Sequence, residues 1–316
     1  MKLRTVGRTS LQLTELGFGA APIGNLFRSV PHEDAIRAVE AAWDLGVRYF
    51  DAAPYYGLGL AEDRLGEALE SKPSSSYVIS TKVGRRLVEE DATTVNGLVD
   101  GQWAVSGNVS AVRDYSKDGI RTTLDSSLRR LRRDHVDIVY VHDPDDYLDQ
   151  TVRETIPTLA ALRDQGIISA VGIGTSSWST AMVLVERADV DVVMIAGRWT
   201  LADRSALPLL HRCEQLGKSI VAAGVLNSGL LARAWPPDDA RFEYAPAPTQ
   251  MLELARQMAA TCKDFGVTLP DAAIQFPLRS DSVSSVVVGM ATSLEVKRDV
   301  AHFSAHVPAC VWADLE

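Results

Sequence analysis

The sequence predicts an α/β fold, a (β/α)8 barrel of the TIM type preceded by a short β-hairpin, and three observations predict it. Eight apolar runs of strand length recur along the 316 residues: ELGFGA, RYFDAA, YVISTK, DIVYVH, SAVGIG, DVVMIA, SIVAAG and VSSVVVG. Most are apolar at successive positions rather than at alternate ones, the pattern of parallel strands covered on both faces. Segments of helical period separate them, and strand–helix units of this number and length suit a closed barrel better than an open doubly wound sheet. A single domain over residues 1–316 follows.

The elements are justified in order. KLRTV and LQLTE read as the hairpin. In PHEDAIRAVEAAWDLG, residues Ala35, Ile36, Val39, Ala42 and Trp43 share a face, Pro31 and two acids occupy the first turn, and Gly46 ends the helix. GLGLAE resembles half of a dinucleotide fingerprint, but it does not directly follow a strand and lacks the third glycine, so it reads as a turn that starts a helix. In DGIRTTLDSSLRRLRRD an apolar stripe of Ile120, Leu124, Leu128 and Leu131 lies opposite four arginines, expected as an exposed, solvated face. TVRETIPTLAALRDQG repeats the pattern through Val152, Ile156, Leu159 and Leu162, and so does TQMLELARQMAATCKDFG. Two connections are too long for plain turns: Gly84 to about Lys117, and the proline- and aromatic-rich LARAWPPDDARFEYAPAPTQ. In a barrel both would frame the mouth, and the C-terminal rim would carry long loops.

Composition narrows the function. A formal charge of −9 without a long basic run disfavours a nucleic-acid surface. The N-terminal stretch lacks the apolar core of a secretory leader and no segment reaches membrane-spanning length, so a cytoplasmic protein with no membrane partner is expected. Cys213, Cys262 and Cys310 are widely spaced with no CxxC, which argues against a disulfide frame or a metal site and for buried free thiols.

Ionisable residues collect at three strand ends: Asp51 after RYF, Lys82 after YVIST, and His142 after DIVYV. Barrel strands converge at their C-terminal rim, so these side chains should meet, with Tyr56 in the loop just beyond Asp51 over the same mouth. A lysine beside a tyrosine favours the phenolate and is expected to pull the phenol below its ordinary value of about 10. Asp51 would hold and balance the lysine, while His142 would donate a hydrogen bond to a substrate oxygen. That set fits proton transfer at a carbonyl or alcohol.

FDAAPYYGLGLAEDRLGEAL, STK and VYVHDPD together resemble the aldo-keto reductase superfamily, with similarity from about Leu16 to about Phe303. The resemblance implies that Asp51, Tyr56, Lys82 and His142 are the catalytic tetrad and that Tyr55 lines the substrate pocket, with Trp199 as a further pocket wall or a core residue. It also implies a nicotinamide cofactor across the barrel mouth without a Rossmann domain. AGVLNSGLLA resembles the family's pyrophosphate loop, bringing Gly224, Val225, Leu226, Asn227, Ser228 and Gly229 to the phosphates. VVGMATSLEVKRDV, with Gly289, Thr292, Glu295 and Asp299, is expected at the adenosine end. Gly174 and Thr175 stand where the family's serine and asparagine grip the carboxamide. Ala196 and Ala223 replace the usual glutamine and stacking tyrosine, leaving Thr175 or Ser176 to hold the amide. Gly289 and Glu295 occupy positions where NADP-preferring relatives place cations, so NAD is expected ahead of NADP, although Lys297 and Arg298 lie close by.

HDPDD, AGRWTLAD, VLNSGLLA and FEYAPAP are similar to the subgroup holding L-fucose dehydrogenase, D-threo-aldose 1-dehydrogenase and pyridoxal 4-dehydrogenase. The implied reaction is oxidation of an aldose or other cyclic hemiacetal at C1 to a lactone. Two alternatives stand beside it: a general NADPH-dependent aldehyde or ketone reductase, and a nicotinamide-binding regulatory subunit.

Overall fold

The eight apolar runs become eight parallel strands whose order around the barrel is their order along the chain. In the computed structural model, which describes residues 1–315, they are β1 (Leu16–Gly19), β2 (Tyr49–Asp51), β3 (Val78–Val83), β4 (Val136–His142), β5 (Ile168–Thr175), β6 (Val192–Ala196), β7 (Ser219–Ala223) and β8 (Val283–Gly289). β8 pairs with β1, so the sheet closes and leaves no edge. Leu3–Thr5 and Gln12–Thr14 form the expected antiparallel hairpin. It carries Val6 and Leu13 into the barrel interior against Tyr49, Ile138 and Val221, which plugs one end and leaves the other for chemistry.

Helices cover the outside because each turns one apolar stripe inward. α1 (His32–Asp44) buries Ala35, Ala38, Val39 and Ala42. It is followed around the ring by α2 (Leu60–Leu69), α3 (Lys117–Arg130), α4 (Ile156–Asp164), α5 (Trp178–Arg187), α6 (Leu207–Leu216) and α7 (Thr249–Asp264). α8 (Leu269–Gln275), α9 (Ser293–Ser304) and α10 (Ala309–Leu315) complete the shell.

Two sequence expectations are corrected here. The arginines after Leu128 are not all solvated: Arg129 and Arg132 are exposed, but Arg130 reaches fully buried Glu62 of α2 at 2.7 Å, and Arg133 lies 4.8 Å from the centre of the Tyr77 ring. A carboxylate sealed under α3 needs a counter-ion, and the helix supplies it. Of the three thiols, Cys213 and Cys262 are buried while Cys310, at the start of α10, is exposed.

Both long connections fold over the same end of the barrel. Between β3 and α3, Arg85–Val88 pairs with Ser110–Arg113, and Thr94–Val95 with Leu98–Val99. Between β7 and α7, Arg241–Phe242 pairs with Ala245–Pro246. Among the described residues no helix is long and apolar enough to cross a membrane, and no cluster of His, Cys, Asp or Glu could hold a metal ion.

Candidate active site

Parallel register brings the strand-end residues together. Asp51 lies beside Ser80, Lys82 beside Tyr140, and His142 beside Gly174, all near the C-terminal rim of neighbouring strands. The Lys82 ammonium donates to Asp51 Oδ2 at 2.6 Å and to the Ala52 carbonyl at 2.9 Å. It also sits 4.7 Å from the centre of the Tyr56 ring, which meets the His142 ring edge-on at 5.9 Å. The four residues expected to act together are therefore in one place.

Two glycines put Tyr56 there. Gly57 has φ of +64°, and a Cβ on it would stand 2.2 Å from the Gly24 carbonyl oxygen. Only backbone against backbone fits at that crossing, and it locks the β2–α2 loop onto the loop after β1.

Electrostatics correct one expectation. Asp51 and Lys82 are only 3% and 2% exposed, so their attraction acts with little screening. Burial alone would lower the lysine's affinity for its proton, but Asp51 and Tyr56 more than offset it, and the ammonium is held charged. The Tyr56 phenol is not pulled below its usual value. Burial pushes it up to about 12, with Lys82 drawing it down and Asp51 pushing it up. The lysine acts in the expected direction, yet desolvation of the phenolate outweighs it. Burial, with Arg85, Lys82 and Arg113 nearby, drives His142 well below the ordinary imidazole value, so the ring is neutral at pH 7. Its Nδ1 is buried without a hydrogen-bond partner, and its Nε2 is 3.7 Å from Asp143 Oδ2.

The four side chains open into a cavity of about 390 Å³ whose lining also includes Gly174, Ala196, Ala223, Met194 and Val287. Gly174, Ala196 and Ala223 project little side chain into it, which leaves room for a planar ring. A cavity of about 400 Å³ outside the barrel, lined by Leu69, Lys72, Tyr77 and Arg133, holds none of these groups.

Other expected residues divide. Tyr55, Thr175, Ser176, Gly224 and Gly289 line the cavity. The Thr175 hydroxyl is already committed, accepting from the Ser177 amide at 2.9 Å and lying 3.4 Å from the Asp145 carboxylate, which leaves Ser176, exposed at the rim, to meet an amide. Asn227, Ser228 and Gly229 have φ of +46°, +58° and +97°, and buried Asn227 Oδ1 has no partner. With Val225 and Leu226 they stand outside the cavity wall, and Ser228 Oγ accepts from the Tyr244 amide at 3.0 Å.

At the proposed adenosine end the side chains serve α9. Thr292 caps it through the Glu295 amide at 3.2 Å, and Glu295 Oε2 accepts from the Ala291 amide at 2.7 Å. Asp299 is buried and paired with Arg298 at 3.1 Å. Glu295 is not a free carboxylate either, because Arg28 approaches its Oε1 at 3.2 Å. Trp199 is a core residue rather than a pocket wall: 8% exposed, it donates to the Pro277 carbonyl at 3.3 Å and packs on Phe276 at 5.3 Å.

Sequence reasoning missed Arg85, Trp103, Asp143 and Tyr244, all on the cavity wall. Arg85 lies 4.3 Å from the Tyr55 ring centre and pairs with Asp143 at 2.6 Å. Its position three residues beyond Lys82, at the start of the long connection, was the available signal. Trp103 is 2% exposed and packs on both Tyr55 and Tyr56, and nothing local marked it.

Comparison with known proteins places the chain in a family. Residues 15–316 match the model of the aldo/keto reductase family. The chain is 40% identical over 308 residues to a D-threo-aldose 1-dehydrogenase of Pseudomonas sp, covering 96% of this chain and 94% of that protein. It is 36% identical to a pyridoxal 4-dehydrogenase of Microbacterium luteolum, covering 99% and 96%, and 33% identical to an L-galactose dehydrogenase of Arabidopsis thaliana, covering 95% and 88%. Among solved structures, the holo form of an aldo-keto reductase from Bacillus halodurans superposes with a TM-score of 0.79 at 24% identity, covering 100% of this chain and 95% of that one, which supports the fold. With the family model matched across nearly the whole chain, and relatives of this identity spanning it, the chain belongs to the aldo/keto reductase family.

Proposed function

We propose that the protein oxidises the C1 hydroxyl of an aldose or other cyclic hemiacetal to a lactone, passing hydride to a nicotinamide cofactor. The observation that carries this reading is the convergence of Asp51, Lys82, Tyr56 and His142 on one cavity at the C-terminal end of the strands. Two of the relatives named above are sugar dehydrogenases and a third acts on pyridoxal, which supports the substrate class. Arg85, Asp143, Gln102 and Tyr244 on the wall offer donors and acceptors to a polyhydroxyl substrate.

The small side chains of Gly174, Ala196 and Ala223 leave room for a nicotinamide ring, with Ser176 nearby for the carboxamide. The left-handed backbone at 227–229, which can turn successive amide N–H groups to one side, suits the phosphates. Bound there, the oxidised nicotinamide supplies the hydride acceptor. Tyr56 takes the C1 hydroxyl proton. Lys82 stabilises the phenolate this requires, and Asp51 keeps Lys82 charged and aimed. Neutral His142 keeps a ring N–H to donate to the C1 oxygen without adding a competing positive charge. NAD is the proposed cofactor, because the Glu295 carboxylate would repel a 2'-phosphate and occupies Arg28, a cation that could otherwise receive one.

The test is a panel of L-fucose, D-arabinose, L-galactose and pyridoxal with NAD and NADP, followed by absorbance of the reduced cofactor, on the wild type and Tyr56→Phe. The variant should keep cofactor affinity while turnover nearly vanishes. Tyr56→Phe retaining most activity rules out the assignment. Failure of all four substrates alongside rapid NADPH-dependent reduction of simple aldehydes would favour a general reductase instead.

A further inference from the structure

Below the four residues at the mouth, the barrel interior holds three more hydroxyl groups that packing alone does not require. Ser80 Oγ donates to Asp51 Oδ1 at 2.7 Å, the oxygen that Lys82 leaves free. Tyr49 OH lies 3.1 Å from Ser80 Oγ and 3.1 Å from Tyr140 OH. All three residues are 0% exposed. Phenylalanine would fill the same volume without burying a phenol. Space for these rings is made on purpose by the neighbouring strands: a Cβ on Gly17 would stand 2.7 Å from the Tyr49 ring, and one on Gly172 would stand 2.4 Å from the Tyr140 ring.

The direction of the chain follows from its end. An ionised carboxylate only accepts, so the single Ser80 proton points to Asp51. The Tyr49 proton must then point to Ser80 and the Tyr140 proton to Tyr49. Burial keeps both phenols well above their ordinary values, so they donate rather than ionise. Each donor polarises the next, and the sum falls on one carboxylate oxygen.

We propose that Tyr140, Tyr49 and Ser80 form a one-way hydrogen-bond relay that holds Asp51 ionised and aimed at Lys82, making them positioning residues for the Tyr56 proton-transfer group. The proposal rests on the reading above only in giving Tyr56 that role. Without the Ser80 donor, Asp51 is a stronger base 2.6 Å from the Lys82 ammonium, and the proton shared in that pair shifts toward the carboxylate. The positive charge that favours the Tyr56 phenolate then weakens. The other groups facing Tyr56 and His142 are Tyr244, Arg85 and Arg113, and none is altered by changes in the relay.

The experiment titrates Tyr56 itself, by ultraviolet absorbance of the phenolate after a rapid pH jump, in wild type, Ser80→Ala, Tyr49→Phe and Tyr140→Phe. Each titration is repeated in a Tyr56→Phe background and subtracted. The expected result is a fall of about tenfold in the Tyr56 ionisation constant for Ser80→Ala, the loss of one hydrogen bond to a charged group, with a smaller fall for Tyr49→Phe and the smallest for Tyr140→Phe. Tyr49→Phe removes a single oxygen and keeps the ring, so it decides the matter if Ser80→Ala does not fold. An unchanged Tyr56 ionisation in Ser80→Ala and Tyr49→Phe, or a reversed order, overturns the relay even where Tyr56→Phe abolishes turnover. An active Tyr56→Phe removes the catalytic reading and leaves the titration to judge the relay on its own.

Discussion

Replacing Lys82 by methionine separates the two things its ammonium does. The side chain is 2% exposed, and its Nζ satisfies Asp51 Oδ2 and the Ala52 carbonyl at 2.6 and 2.9 Å. Methionine keeps the packing but strands a carboxylate whose remaining donor is Ser80. Breaking one side of a buried pair costs about 3–5 kcal/mol, a large part of the roughly 5–15 kcal/mol that holds a domain folded. Turnover should fall by about two to four orders of magnitude, because burial already holds the Tyr56 phenol near 12 and the main opposing pull is gone. The assay is urea unfolding and steady-state turnover, on Lys82→Met and on Asp51→Leu with Lys82→Met. Removing both charges should restore most of the stability and none of the activity, since a buried pair exchanged for apolar side chains is often neutral. A single variant with more than a tenth of wild-type turnover, or a double variant as unstable as the single, would refute the reasoning.

Three further outcomes follow from the same geometry. His142 is held neutral by burial, with a folded pKa depressed below the unfolded value of about 6.5, so the unfolded chain binds the extra proton and acid favours unfolding. Stability should drop by at most about 1.4 kcal/mol per pH unit below that value on this account, and His142→Gln should flatten the slope. Glu295→Gln keeps an acceptor for the Ala291 amide while releasing Arg28. The ratio of kcat/KM for NADP over NAD should rise about fivefold, the effect of a half-exposed charge worth about 1 kcal/mol, and an unchanged ratio would count against the adenosine assignment. Gly57→Ala must place a methyl 2.2 Å from the Gly24 carbonyl at φ of +64°, whereas Gly46→Ala, at φ of +87° with nothing within 4 Å, meets only backbone strain. The first should therefore lower both Tm and turnover, and the second should cost about 1–2 kcal/mol of stability with turnover intact.

Much of this arrangement was legible in the chain. Continuous apolar runs spaced by helical stripes specify parallel strands and covering helices, and closure of eight such units carries Asp51, Lys82 and His142 to one rim. Tyr56 follows Asp51 by five residues in the loop just beyond the strand, with Gly57 and Gly59 after it, which likewise brought the phenol to the mouth. What was not legible concerns pairs of residues far apart in sequence. Trp199 sits beyond a strand end like a pocket residue, yet its indole N–H is claimed by Pro277. Glu295 looked like a free acid until the loop after β1 brought Arg28 to it. Arg85, Trp103 and Tyr244 enter the wall only because two long connections fold back over it.

The sequence alone thus determined the architecture and the identity of the four convergent groups, since periodicity and strand-end position are local properties that barrel closure converts into proximity. Tertiary structure alone decided the energetics. Whether Lys82 or desolvation wins at Tyr56, and which oxygen of Asp51 is held by which donor, depends on burial and on neighbours from three strands. Those quantities exist only once the barrel has closed.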